Sequence, residues 1–382
     1  MSTTAIDLCR ALVKCPSVTP QDGGALGVLE AALKQAGFTT NRLVFSEPGA
    51  ADIDNLYARI GTAAPFLVFA GHTDVVPVGD ASKWRFDPFA AEVADDAVWG
   101  RGVADMKGAV AAFAAAALDF VARHGTQKGS IGFLITGDEE GPAINGTDKL
   151  LRWAHERGER FDHCLVGEPT NPHALGDMIK IGRRGSLNGT LAVHGRQGHV
   201  AYPDRAQNPI PHLLRLLETF HAPLDHGTEH FDASNLEITS VDVGNPAFNI
   251  IPAEAKARFN IRFNDSWTPE TLASELRRRL EEAAEGAHYA LAFEPCNALA
   301  FLTPPDGFAA LVSAAIEKRT GRTPVLSTSG GTSDARFIRA YCPVVEFGLV
   351  GATMHMVDEH VAVRDIEALT KIYEAILEDY FS

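Results

Sequence analysis

His72 and Asp74 stand two residues apart at the end of the apolar run "FLVFAGHTD", and the same kind of ending recurs along the chain. "VWGRGVADMKG" delivers Asp105, "IGFLITGDEEG" delivers Glu139 and Glu140, "CLVGEPT" delivers Glu168, and "VVEFGLVGATMH" delivers His355. In an extended chain residues i and i+2 point to one side, so the imidazole and carboxylate of "HTD" can meet. Two imidazoles among several carboxylates suit borderline divalent ions such as zinc, cobalt or manganese, whereas calcium asks for oxygens only. Six such groups exceed the three protein ligands usual for one catalytic zinc, so the pattern predicts two ions. Any single carboxylate could instead cap a helix or face water, Asp105 especially, since it precedes a helix and is favoured there anyway. That reading fails for all of them together. The doublet Glu139 and Glu140 is the most specific part: adjacent side chains diverge, so one can bind metal while the other serves as general base. Without a cation the two like charges would repel.

These residues need a scaffold that brings strand ends together. The first part of the chain alternates strand and helix patterns: "NLYARIG" and "FLVFAGH" as strands, "DMKGAVAAFAAAALDFVARHG" as a helix, "GSIGFLITGDEE" as a strand, "GTDKLLRWAHERG" as a helix and "HCLVGEP" as a strand. This predicts an α/β domain with a mixed, largely parallel sheet flanked by helices, whose sites lie at the carboxyl ends of the strands. Near Ile179 the pattern changes to half-exposed antiparallel strands, "GSLNGTLAVHG", "LEITSVDVG", "AEAKARFNIRF" and "HYALAFEP", interleaved with the helices "NPIPHLLRLLETF" and "TPETLASELRRRLEEAAEG". In the second helix Thr268 can cap, Pro269 takes the first helical position, and Leu272, Leu276 and Leu280 share a face. After Pro295 the α/β alternation resumes. The expected division is 1–179 and 295–382 as one discontinuous metal-binding domain, with 180–294 as an inserted α+β domain.

Composition narrows the partners. Lys and Arg number 34 against 49 Asp and Glu, a formal charge of −15, which opposes binding to nucleic acid or anionic membrane. "AVAAFAAAAL" from Ala109 is half the length needed to span a bilayer. The start, "MSTTAIDLCRALVKCPSVTP", reads as a capped amphipathic helix rather than an export signal. Five scattered cysteines without CxxC spacing suggest neither a disulfide framework nor a thiolate metal site, and fit a reducing cytoplasm.

"GHTDVVP", "GRGVADMKG", "TGDEEG" and "GEPT", in this order, resemble the co-catalytic zinc peptidase and deacylase family that includes aminoacylases, acetylornithine deacetylase and glutamate carboxypeptidases. "CPSVTPQDGG", "GRRGSLNG", "GRQGHVAYPDRAQNPI", "FNIIP" and "STSGGTSDARFI" are similar to its bacterial desuccinylase branch. The resemblance implies a zinc-peptidase-like catalytic domain with an inserted ferredoxin-like domain serving as lid and dimer contact. It implies that Asp105 bridges two ions, that His72 and Glu168 complete one site and Glu140 and His355 the other, that Glu139 is the general base, and that Asp74 orients His72. It further implies that His199, supplied by the partner subunit of a homodimer, hydrogen-bonds the oxyanion. By itself, His199 would read as a surface histidine before a turn. "LVGATMHMVDE" departs from the branch, with Gly351 and Met356 where many members carry Asn and Lys.

The implied reaction is hydrolysis of N-succinyl-LL-2,6-diaminopimelate to succinate and LL-2,6-diaminopimelate, a step towards lysine and cell-wall precursors. A substrate with three carboxylates calls for guanidinium groups, which hold a carboxylate by two bonds. Arg183, Arg184, Arg262 and Arg336 are candidates, Arg183 and Arg262 favoured by their contexts. Ser186, Tyr202, Asn249 and the turn Gly330, Gly331 and Thr332 could supply neutral donors. Another deacylase such as acetylornithine deacetylase would share every metal ligand and differ only in the acyl pocket. A dipeptidase or carboxypeptidase is chemically equivalent. A binding protein on the same fold would be expected to lose ligands or the base, and here all are present.

Overall fold

The computed structural model describes residues 4–126 and 128–382. The chain divides into two units, Met1–Gly182 with Thr303–Ser327 and Ser333–Ser382, and Arg183–Leu302 with Thr328–Thr332.

The first unit is built on an eight-stranded sheet in the order Thr39–Phe45, Ile53–Ile60, Ser130–Thr136, Phe66–His72, His163–Val166, Val344–Glu346, Met178–Lys180, Val325–Ser327. The four central strands, from Ser130–Thr136 to Val344–Glu346, run parallel. Thr39–Phe45 and Ile53–Ile60 join antiparallel at one side, and Met178–Lys180 lies antiparallel to Val344–Glu346 at the other. Phe66 to Ala70 are all buried, as expected of a central strand covered on both faces. Phe69 stacks on Phe113 of the helix Gly108–His124, centroids 4.4 Å apart at 15°, and meets Tyr373 of the helix Val363–Tyr380 edge-on. Removing a ring from such a cluster costs about 3 to 5 kcal/mol.

Parallel alignment puts the carboxyl ends of the central strands at one edge. Phe66–His72 ends on the first ligand candidate itself, while Ser130–Thr136 leads into Gly137 to Glu140 and His163–Val166 into Gly167 and Glu168. Asp105 arrives differently. The strand before it, Ala97–Trp99, belongs to a separate three-stranded sheet with Glu92–Ala94 and His360–Ala362. Asp105 sits instead in the irregular turn Val103–Lys107, which leads directly into Gly108–His124.

The second unit follows the order strand, helix, strand, strand, helix, strand. Its antiparallel sheet runs Asn235–Asp242, Glu254–Phe263, Gly185–His194, His288–Phe293, and the helices are Pro209–Glu218 and Pro269–Ala283. This is the ferredoxin-like arrangement. Thr268 caps the second helix through its side chain and Pro269 follows, so the main-chain donors at that end are satisfied locally. Leu272, Leu276 and Leu280 then face a core shared with Leu191, Leu213, Phe259 and Ile261.

Candidate metal centre

Asp105 occupies the middle of the cluster. Its Oδ1 lies 3.2 Å from Nε2 of His72, and its Oδ2 lies 3.2 Å from Nε2 of His355. One carboxylate thus touches two imidazoles, one at the end of the strand Phe66–His72 and one on the loop that follows Val344–Glu346. His355 Nε2 is also 2.8 Å from Glu140 Oε1, and His72 Nε2 is 3.9 Å from Glu168 Oε1. His72, Asp105 and Glu140 offer ligand atoms within 4.8 Å of one another, and so do His72, Glu139 and Glu168. Both glutamates of the doublet lie near His72, Glu140 together with Asp105 and His355 and Glu139 together with Glu168.

Packing accounts for the convergence. A Cβ on Gly71 would lie 2.4 Å from the Met106 methyl, and one on Gly167 would lie 2.7 Å from it. The residues just before His72 and Glu168 thus both lie against the side chain of Met106, the neighbour of Asp105. His72 Nδ1 hydrogen-bonds the main-chain carbonyl of Asp74 at 2.9 Å, which keeps that nitrogen protonated and presents Nε2 as the ligand atom. The Asp74 carboxylate is farther, 3.6 Å from Nδ1, and accepts instead the main-chain N–H groups of Glu139 at 3.3 Å and Glu140 at 3.1 Å. Asp74 reaches the histidine chiefly through its backbone because the strand stops at His72. The third acid of "GDEEG", Asp138, accepts the N–H groups of Ile144 and Asn145, both at 2.9 Å, and clips its own loop. His355 holds a left-handed φ of 62°, an uncommon conformation for a residue with a Cβ.

The electrostatics ask for cations. Burial pushes the Glu139 carboxyl up to about 8, and Asp334, Asp105 and Glu140 add to this against the pull of His72. Glu168 is raised well above its ordinary value, by burial first and then by Asp105 and Glu139. Asp105 goes the other way: burial opposes its charge, but hydrogen bonds from His355 and His72 hold it below the usual carboxylate range. The same bonds, to Asp105 and Glu140, lift His355 to about 10. The histidines thus balance part of a surplus of buried negative charge that divalent ions would balance fully. Donor types and spacing fit such ions, nitrogen and oxygen together favouring zinc-like metals.

The model of peptidase family M20/M25/M40 matches residues 68–379. The chain belongs to peptidase family M20/M25/M40. It is 70% identical over 382 residues, the whole of both chains, to a protein of Beijerinckia indica subsp. indica named succinyl-diaminopimelate desuccinylase. A protein of the same name from Methylocella silvestris is 70% identical over 384 residues, covering 100% of this chain and 99% of the other. Among solved structures, the fold is similar to aminopeptidase PepT from Bacillus cereus, with a TM-score of 0.78 at 17% identity over 100% of this chain and 99% of that one. It is also similar to a dinuclear metal binding peptidase of the family from Bacillus subtilis, with a TM-score of 0.72 at 16% identity over 98% and 97%.

In this member of the peptidase family the remaining candidates other than Arg336 belong to the second unit. Arg183 donates through Nη1 to the carbonyls of Gly331 at 3.1 Å and Ser329 at 3.4 Å. Gly330 has a φ of 98°, a backbone conformation that favours glycine, and lies against that Nη1. Ser186 lies opposite Arg262 in the sheet, and its Oγ accepts from Asn260. His199, on the short strand Gly198–His199, packs its ring 5.7 Å from that of Tyr202, while the carbonyl of Asn249 accepts the N–H of Val200. Thr332 follows Gly330 and Gly331 in the chain. Arg184 is engaged with Ala233 and Asn235. Arg336, in the first unit, is held by Ser333 and Asp334. Sequence reasoning missed Glu359, whose carboxylate accepts the N–H groups of Ala104 and Asp105. Its place in "VDEHVAV" reads as surface, and the signal lay in Arg101, a charged residue within a stretch otherwise bound for the core.

Proposed function

We propose that the chain is a dinuclear, metal-dependent amide hydrolase that converts N-succinyl-LL-2,6-diaminopimelate to succinate and LL-2,6-diaminopimelate. The observation that carries the dinuclear reading is Asp105, whose two carboxylate oxygens each lie 3.2 Å from a different imidazole. The substrate follows from the name shared by relatives 70% identical over the whole chain.

His72, Glu168 and Asp105 would hold one ion, and Glu140, His355 and Asp105 the other. Zinc is the proposed metal, and cobalt or manganese suits the same donors. When bound, the ions supply Lewis acidity and lower the pKa of water towards neutrality. Glu139 takes the proton from the attacking water and delivers it to the leaving amine. Asp74 holds the main chain of the doublet so that Glu139 and Glu140 keep their separate directions. Arg183, Ser186, Tyr202, Asn249, Arg262 and the turn Gly330 to Thr332 bind the substrate's carboxylates and amine. His199, from the second copy of a homodimer, donates to the oxyanion, an interaction whose loss typically costs about 10²- to 10³-fold in kcat. The second unit is the proposed dimer contact, supported by the exposure of Phe248, Val200 and Val241.

All five cysteines are free, which supports a place in the reducing cytoplasm; no helix among the described residues is long and apolar enough to cross a membrane. The test is hydrolysis of N-succinyl-LL-2,6-diaminopimelate by protein stripped with a chelator and then restored with zinc, beside N-acetylornithine as competitor. Zinc-dependent release of succinate with little release of acetate supports the reading. Preference for the acetyl substrate would move the chain to another deacylase.

A further inference from the structure

Arg101 and Glu359 form an ion pair at 2.7 Å with side-chain exposures of 3% and 0%. Both ends of the pair are occupied by main chain. Glu359 Oε1 accepts the N–H of Ala104 at 2.9 Å and of Asp105 at 3.3 Å, while its own carbonyl accepts the N–H of Gly100 at 2.9 Å. Arg101 donates to the carbonyl of Met356 at 3.2 Å and to that of Pro77 at 3.4 Å, with its guanidinium over the ring of Trp84. Three segments therefore meet at one buried pair. One runs on from His72 and Asp74 to Pro77, one carries Asp105, and one carries His355 and Met356.

The bland account is a core ion pair that adds stability. Desolvation leaves such pairs with little net stability over a hydrophobic replacement. What the pair does supply is direction: one carboxylate anchors the turn of the central ligand candidate, and one guanidinium fork ties the loops of both histidines to it. We propose that Arg101 and Glu359 are positioning residues that set the placement of His72 and His355 about Asp105, and so the spacing of the two ions. This rests on the dinuclear reading above. Neither residue is proposed to touch metal or substrate.

The test uses the full chain, stripped of metal and titrated with zinc against a chromophoric chelator, and separately loaded with cobalt for its visible absorption spectrum. E359Q keeps the size and an acceptor but loses the charge, and R101K keeps the charge but loses one arm of the fork. E159Q, which breaks the ion pair of Arg59 and Glu159 away from the ligand loops, is the control. Both test variants should weaken zinc binding about 10- to 100-fold, the range seen when groups that orient ligands are removed, and shift the cobalt bands. They should lower kcat more than they raise KM, while E159Q does neither. Folded E359Q and R101K with wild-type zinc affinities and cobalt spectra overturn the proposal. If E359Q does not fold, R101K alone decides, and wild-type behaviour there overturns it. Wild-type protein that binds only one ion contradicts the dinuclear reading instead, and the variants' effect on that one affinity still settles the positioning role.

Discussion

The Oδ2 atom of Asp105 lies 3.2 Å from Nε2 of His355 although the two residues are on different loops, while Oδ1 of the same carboxylate faces His72. A carboxylate shared in this way should matter to both ions, whereas each histidine should matter to one. Asp105→Ala is expected to take metal content from about two ions per chain to well below one. His355→Ala should leave about one. Metal analysis of dialysed variants distinguishes the cases, and a D105A protein that retains one tight ion would show that the carboxylate serves a single site.

Glu139 and Glu140 are neighbours, but only Glu140 bonds His355, and their variants should differ in kind. Glu139→Gln should lower kcat by about 10²- to 10⁴-fold, the usual worth of a general base, with metal content close to normal. Glu140→Gln removes the partner of His355 and should lose metal along with activity. Metal lost from E139Q but kept by E140Q would reverse the two roles.

The placement of these residues at strand ends could be read from the sequence because parallel strands leave a plain record. An apolar run buried on both faces, ending in Gly and then a polar side chain, describes Phe66–His72 and the approaches to Glu139 and Glu168. The edge strand Thr39–Phe45 left no such record, since "TTNRLVF" is half polar and pairs on one side only. Asp105 was legible as a ligand candidate but not in its placement, because an irregular turn has no period. The contacts of Asp74 and Glu359 were hidden for a related reason. Both carboxylates accept main-chain N–H groups, and every residue type but proline offers one.

Glu139 also predicts how the metal-free protein responds to pH. Its folded pKa of about 8 stands above the ordinary 4.5, so the folded state prefers the protonated carboxyl. The stability this contributes is fully present below about pH 4.5 and is lost as pH rises through about 8. Gln at this position stays neutral and loses nothing. In chelator, E139Q should melt close to wild type near pH 4.5, with an advantage that grows up to about pH 9. An advantage that is the same at both ends of this range would show that ionisation of Glu139 does not limit the metal-free fold.

The proposed dimer makes a prediction of its own through His199. This residue belongs to the second unit, on the short strand Gly198–His199, while Glu139 belongs to the first. If His199 acts in the site of the other copy, a dimer of one H199A chain and one E139A chain contains one site with both defects and one with neither. Each variant alone should be nearly inactive, H199A without loss of metal. The mixed dimer should recover about half of wild-type turnover, or about a quarter in an unsorted co-expressed mixture, because half of randomly paired dimers are mixed. Isolation through two different affinity tags fixes the composition before the assay. Mixed dimers shown to form but left inactive would mean that His199 serves its own chain, and pairing of the copies would then contribute nothing to the chemistry.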